Sequence, residues 1–224
     1  MSDFVLFVAF PYVCIVLAVL VGIYRYFDDR FSYSSFSSQF LESRRLFWGS
    51  AAWHYGVIVI LLAHLVALLF PRAWADLVAA PARLYVIEVT GLILALVIIV
   101  GLVLLIVRRL SNARVFVVTS AMDWVLLAVL LGQVVLGFWV GLFYRWGAEW
   151  SVHTAVPWLV SLASLNPQVE HIAPLPWVVK LHMLGGFIII ALFPFTRLVH
   201  LVTVPISYLW RPYQLVIWNK RLTR

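Results

Sequence analysis

One cysteine in 224 residues, Cys14, is too few for most of what cysteine does. It closes no intrachain disulfide, and a single thiol holds neither an iron–sulfur cluster nor a structural zinc. Charge is scarce as well: 11% of residues are charged, against 65% hydrophobic. A soluble domain cannot hide that much apolar surface, so the composition marks an integral membrane protein. Nine acidic residues stand against sixteen Lys and Arg. The basic excess clusters between apolar runs, which reads as a topology signal and not as a nucleic-acid patch. No repeat of fixed period and no low-complexity tract organises the chain. The amino terminus lacks the basic region of a signal peptide and has Asp3 there instead, so the first apolar run is expected to stay as a helix.

What is present is five apolar segments, at about 4–24, 50–70, 85–107, 116–142 and 178–204. Each is near the roughly 20 residues that cross a bilayer, and lipid leaves the backbone no choice but helix. The expected fold is all-α: one polytopic membrane domain over residues 1–224, with a tail from 205 to 224. Eleven basic residues fall in the first loop, the third loop and the tail, against four in the second and fourth loops. That asymmetry predicts an outside amino terminus and a cytoplasmic carboxyl terminus in the cell (inner) membrane. The serine-rich first loop (SYSSFSSQ) reads as a solvated linker or a docking surface. In the fourth loop, four prolines cut the chain into short pieces. The piece 156–165 is mildly amphipathic, with Trp150, Trp158 and Trp177 as expected interface anchors.

Four of the six histidines lie inside two of the five segments: His54 and His64 in the second, His182 and His200 in the fifth. Ionisable groups facing lipid are costly, so intramembrane histidines normally point inward and carry a function. The two segments run in opposite directions, so facing positions pair in reverse order: His54 with His200, and His64 with His182. Two imidazoles facing each other across helices make the bis-axial site of a b-type haem, and two pairs make two haem b groups. A c-type haem is excluded because there is no Cys-x-x-Cys-His. As one straight helix, the fifth segment would separate its histidines by roughly 27 Å, against roughly 15 Å in the second. Tilt and a kink at Pro194 are expected to reconcile them. Gly56, Gly185 and Gly186 offer close approach for a porphyrin, and Arg197 a partner for a propionate. Gln133 and Asp123 read as helix-packing hydrogen bonders, and Glu88 as a partner of Arg83. His153 and His171 read as solvated loop histidines.

The runs SSQFLESRRLFWGS, the His54/His64 spacing with HYG, KLHMLGG, and PFTRLVHLVTVPISYLWRPYQLV resemble the gamma subunit of respiratory nitrate reductase over essentially the whole chain. The resemblance implies a dihaem cytochrome b, with His64 and His182 on the distal haem and His54 and His200 on the proximal one. It implies oxidation of a quinol (menaquinol or ubiquinol) beside the distal haem at the outer face. Electrons would then pass to a cytoplasmic iron–sulfur beta subunit and a molybdenum alpha subunit. A lysine of the family's quinol site is replaced here by Arg83, with Glu88 a weaker candidate for proton exit. Cytochromes of sulfur, heterodisulfide, formate dehydrogenase or hydrogenase complexes are the runner-up, and a haem-free transporter a more distant one.

Overall fold

The computed structural model describes residues 2–33, 38 and 40–202. Most of the serine-rich linker and the tail, including any docking role from Tyr213 onward, lie outside the described residues. Five helices are long and apolar enough to cross a membrane. They are α1 (Val5–Asp28), α2 (Arg44–Leu69), α4 (Pro81–Ser111), α5 (Ala121–Phe143) and a fifth span, Trp177–Phe195, whose α-helical part is α7 (Trp177–Leu192); the short α3 (Pro71–Val78) and α6 (Ala155–Ala163) join them in part. Among the described residues there is no strand.

The packing runs in sequence: α2 on α4, α4 on α5, α5 on α7, and α7 on α1. Helix α2, which carries His54 and His64, and α7, which carries His182, share at most a glancing contact. Small residues let α2 and α4 cross closely. A β-carbon at Gly101 would stand 2.9 Å from the Gly49 carbonyl oxygen, so a side chain there would part the helices. Ile98, Leu102, Leu126, Leu127 and Leu130 fill the core between α4 and α5, with Trp53 and Val57 of α2 against it.

Two boundaries that bear on the site differ from the sequence reading. The fifth span is α-helical only to Leu192. Pro194 cannot donate a backbone N–H, and the chain turns through short 3-10 segments at Phe193–Phe195 and Arg197–Leu201. Between them Thr196 is extended, so His200 is not on the helix that carries His182. The fourth span begins at Ala121, not near 116, because Ser120 and Asp123 form a capping box there. Asp123 is therefore a first-turn residue.

The amphipathic piece of the fourth loop packs inward. Trp158 of α6 is 1% exposed, among Phe7, Cys14, Leu184 and Phe187, and is a core residue instead of an interface anchor. The cause lies in α1. Pro11 has no N–H for the carbonyl four residues back, and the Trp158 indole donates to that carbonyl, Phe7 O, at 3.1 Å. Lys180, counted above among the loop charges, is also buried. Its ammonium donates to Ala173 O at 2.8 Å and lies over the Phe7 and Trp177 rings.

Candidate functional site

Each of the four helix-segment histidines turns one ring nitrogen toward a backbone carbonyl. His54 Nδ1 lies 2.8 Å from Ser50 O, and His64 Nδ1 lies 2.8 Å from Ile60 O. Both acceptors sit four residues back on α2, the direction in which helical side chains lean. His200 Nδ1 meets Arg197 O, and His182 Nδ1 meets Gln133 O on α5 at 3.1 Å. A carbonyl can only accept, so each Nδ1 carries the hydrogen. On His54, His64 and His182 that leaves the Nε2 lone pair available, which is the arrangement of a metal-ligating histidine oriented by its second nitrogen.

The His54 and His200 rings face each other with centroids 6.2 Å apart and planes at 69°. Two imidazoles bound through Nε2 to one metal, with bonds of about 2 Å, hold their centroids roughly 6 Å apart. His64 and His182 lie within electrostatic reach of each other. Both pairs thus join α2 to the fifth span, His182 from α7 and His200 from the 3-10 segment beyond it. Among the described residues no group of three or more His, Cys, Asp or Glu converges on one point. Two opposed ligands suit an iron whose other bonds come from a porphyrin, and these residues fit that group.

The surroundings differ from expectation in detail. A β-carbon at Gly56 would stand 2.5 Å from Ile98 Cγ1, and one at Gly185 would stand 2.1 Å from Gln133 Oε1. These two glycines admit protein neighbours on α4 and α5, so helix packing explains their size without a porphyrin. Arg197 binds Asp123 through two contacts, Nε to Oδ1 at 2.6 Å and Nη2 to Oδ2 at 2.8 Å. The same residue's carbonyl holds His200, so an ion pair from α5 steadies this histidine on a short 3-10 segment. Arg25 of α1 supports that segment by donating to Pro194 O at 2.6 Å.

At the opposite end, Arg83 is exposed and donates to Leu77 O at 2.6 Å and Asp76 O at 2.9 Å. It satisfies carbonyls at the end of α3. Glu88 does not pair with it. Glu88 Oε1 instead accepts from the Ala148 N–H at 2.8 Å, at the start of the turn Gly147–Trp150. His153 is exposed, and His171 bonds Gln168 at 3.0 Å, both in the fourth loop and away from the paired histidines in sequence. The backbone of Gln133 as a partner of His182 was not foreseen. The signal that was available is a glutamine four residues before Gly137, which places an amide and a gap on one face of α5.

The comparisons agree with this architecture. The family model described as nitrate reductase gamma subunit matches residues 3–219. The chain is 31% identical to the nitrate reductase gamma chain of Bacillus subtilis, over 99% of this chain and 100% of that one. It is 31% identical to the respiratory nitrate reductase 2 gamma chain of Escherichia coli, over 92% and 93% of the two chains. It is 33% identical to the nitrate reductase-like protein NarX of Mycobacterium tuberculosis, of which it spans about a third of the length (33%). With five membrane-length helices and a family match over nearly its whole length, this chain belongs to the nitrate reductase gamma subunit family.

Proposed function

We propose that this chain is the quinol-oxidising cytochrome b of a membrane nitrate reductase. The observation that carries the proposal is the set of four histidines with Nδ1 on backbone carbonyls, two from α2, one from α7 and one from the 3-10 segment after it. In this reading His54 and His200 hold the haem b nearer the cytoplasm, and His64 and His182 the haem b nearer the outer face. Bound there, the two haems supply one-electron steps between quinol and the iron–sulfur beta subunit, from which a molybdenum alpha subunit reduces nitrate. The chain's own share is to hold the ligands rigidly and to exclude lipid from the interval between α2 and α7. Arg197 stays in the reading as a neighbour of a propionate, its guanidinium shared with Asp123. The basic first and third loops orient this end toward the cytoplasm.

Arg83 and Glu88 belong to the other end, where quinol (menaquinol or ubiquinol) enters. Arg83 donates a hydrogen bond to a quinol oxygen, and Glu88 takes part in passing its protons outward. A charged hydrogen bond is worth about 1.5–3 kcal/mol, so Arg83→Ala should slow quinol-driven haem reduction by roughly 10-fold or more. Dithionite reduction of the same sample should be unchanged, and Arg83→Lys should retain most of the rate. Stopped-flow absorbance on purified complex measures this. An unchanged quinol-driven rate in Arg83→Ala would remove Arg83 from the site.

A further inference from the structure

His182 differs from the other three paired histidines in where its second nitrogen goes. His54, His64 and His200 bond a carbonyl three or four residues back in their own segment. His182 bonds a carbonyl on another helix, Gln133 O of α5. The contact is returned: Gln133 Nε2 donates to His182 O at 3.0 Å. One residue thus grips the histidine from both sides, with its backbone on the ring and its amide on the main chain.

Two glycines make room for this grip. A β-carbon at Gly137, one turn after Gln133, would stand 2.8 Å from His182 Cε1. A β-carbon at Gly185, three residues after His182, would strike Gln133 Oε1. That Oε1 is buried and, among the described residues, has no hydrogen-bond partner, so the amide is held by its nitrogen and by shape. An unpaired buried oxygen is costly, and the double contact to His182 offsets that cost.

We infer that Gln133 is a positioning residue for His182, and that the α5–α7 contact sets the ring orientation of that one ligand. The inference rests on the dihaem reading above. Second-shell partners of a ligating histidine fix its ring and tune the metal, and their loss typically changes affinity or activity by 10- to 100-fold. Only the haem bound by His182 should respond, because the other three ligands take their carbonyls from their own segments.

The test is a potentiometric titration of the low-spin haem signals by electron paramagnetic resonance, in membranes containing the whole complex. Gln133→Leu removes the amide bond. Gly137→Ala removes no hydrogen-bonding group and crowds the ring. Each should shift one signal, the one that His182→Ala abolishes, by about tenfold in its preference for the reduced state, about 59 mV for a one-electron couple. The other signal should keep its native potential. Should Gln133→Leu fail to accumulate, Gly137→Ala alone decides. Two signals at native potentials, or both moved alike, would overturn the inference while leaving the dihaem reading intact. No haem signal in the unaltered complex would overturn both, and so separates the two failures.

Discussion

His54→Ala and His200→Ala are expected to abolish the same haem signal, and His64→Ala and His182→Ala the other one. The expectation follows from direction and geometry together. Helices α2 and α7 run in opposite senses, and the His54 and His200 rings stand 6.2 Å apart. Each substitution removes one axial bond and leaves its partner imidazole alone. The affected haem then becomes five-coordinate or is lost, while the second keeps its bis-imidazole spectrum. Quinol-driven nitrate reduction should fall by about 100-fold or more for all four variants, since even second-shell partners are worth about 10- to 100-fold. Electron paramagnetic resonance of the four variants checks the pairing. If His54→Ala and His182→Ala silenced one signal together, the pairing would be wrong.

Glu42→Ala should destabilise the protein by about 1–3 kcal/mol, the cost of leaving the buried Arg108 guanidinium without its charged acceptor. Arg108 is 1% exposed. Its Nε donates to Glu42 Oε2 at 2.6 Å, and its other nitrogens donate to Ser38 Oγ, Ser38 O and Glu42 O. The Glu42 carboxylate also accepts from the Arg45 and Leu46 N–H groups, at 2.7 and 3.2 Å, at the start of α2. One side chain therefore fixes α4 to the first loop and caps the helix that carries His54. The Arg45 N–H, helped by Arg108 and the Leu46 N–H, holds the Glu42 carboxyl below the usual carboxylate range against the opposing effect of burial. The folded value lies below the unfolded one, so this contribution is complete above the unfolded pKa of about 4.3. It is lost as pH falls through the folded value. Thermal unfolding in detergent, followed by circular dichroism, should show a lower melting temperature for Glu42→Ala at pH 7. It should also show a shallower acid limb for Glu42→Gln than for the unaltered protein. Equal melting temperatures would show that Arg108 is satisfied by the loop carbonyls alone.

The five spans were legible because unbroken apolar runs of membrane length have few other fates. Their ends were less so. A kink at Pro194 was expected, but the full turn into 3-10 segments is held by an Arg25 donor from α1 and an Asp123 partner from α5. Such partners lie far away in sequence, and no local pattern announces them. The histidine set stood out because four imidazoles in two of five apolar segments are hard to place against lipid. The reverse pairing came from chain direction alone. Which nitrogen each histidine presents did not, because Gln133 O reaches His182 only once α5 and α7 are packed. Trp158 was misread for a similar reason: its role is to satisfy a carbonyl left open by Pro11, some 150 residues earlier.

The proposed function requires two iron porphyrins held between α2 and the fifth span. The most direct test is a pyridine haemochrome assay on purified complex, normalised to this chain, with a dithionite-reduced spectrum of the same sample. Two haem b per chain, with the bands of low-spin bis-imidazole iron, is the predicted result. A colourless protein, or a haem content that His54→Ala and His182→Ala leave unchanged, would contradict it.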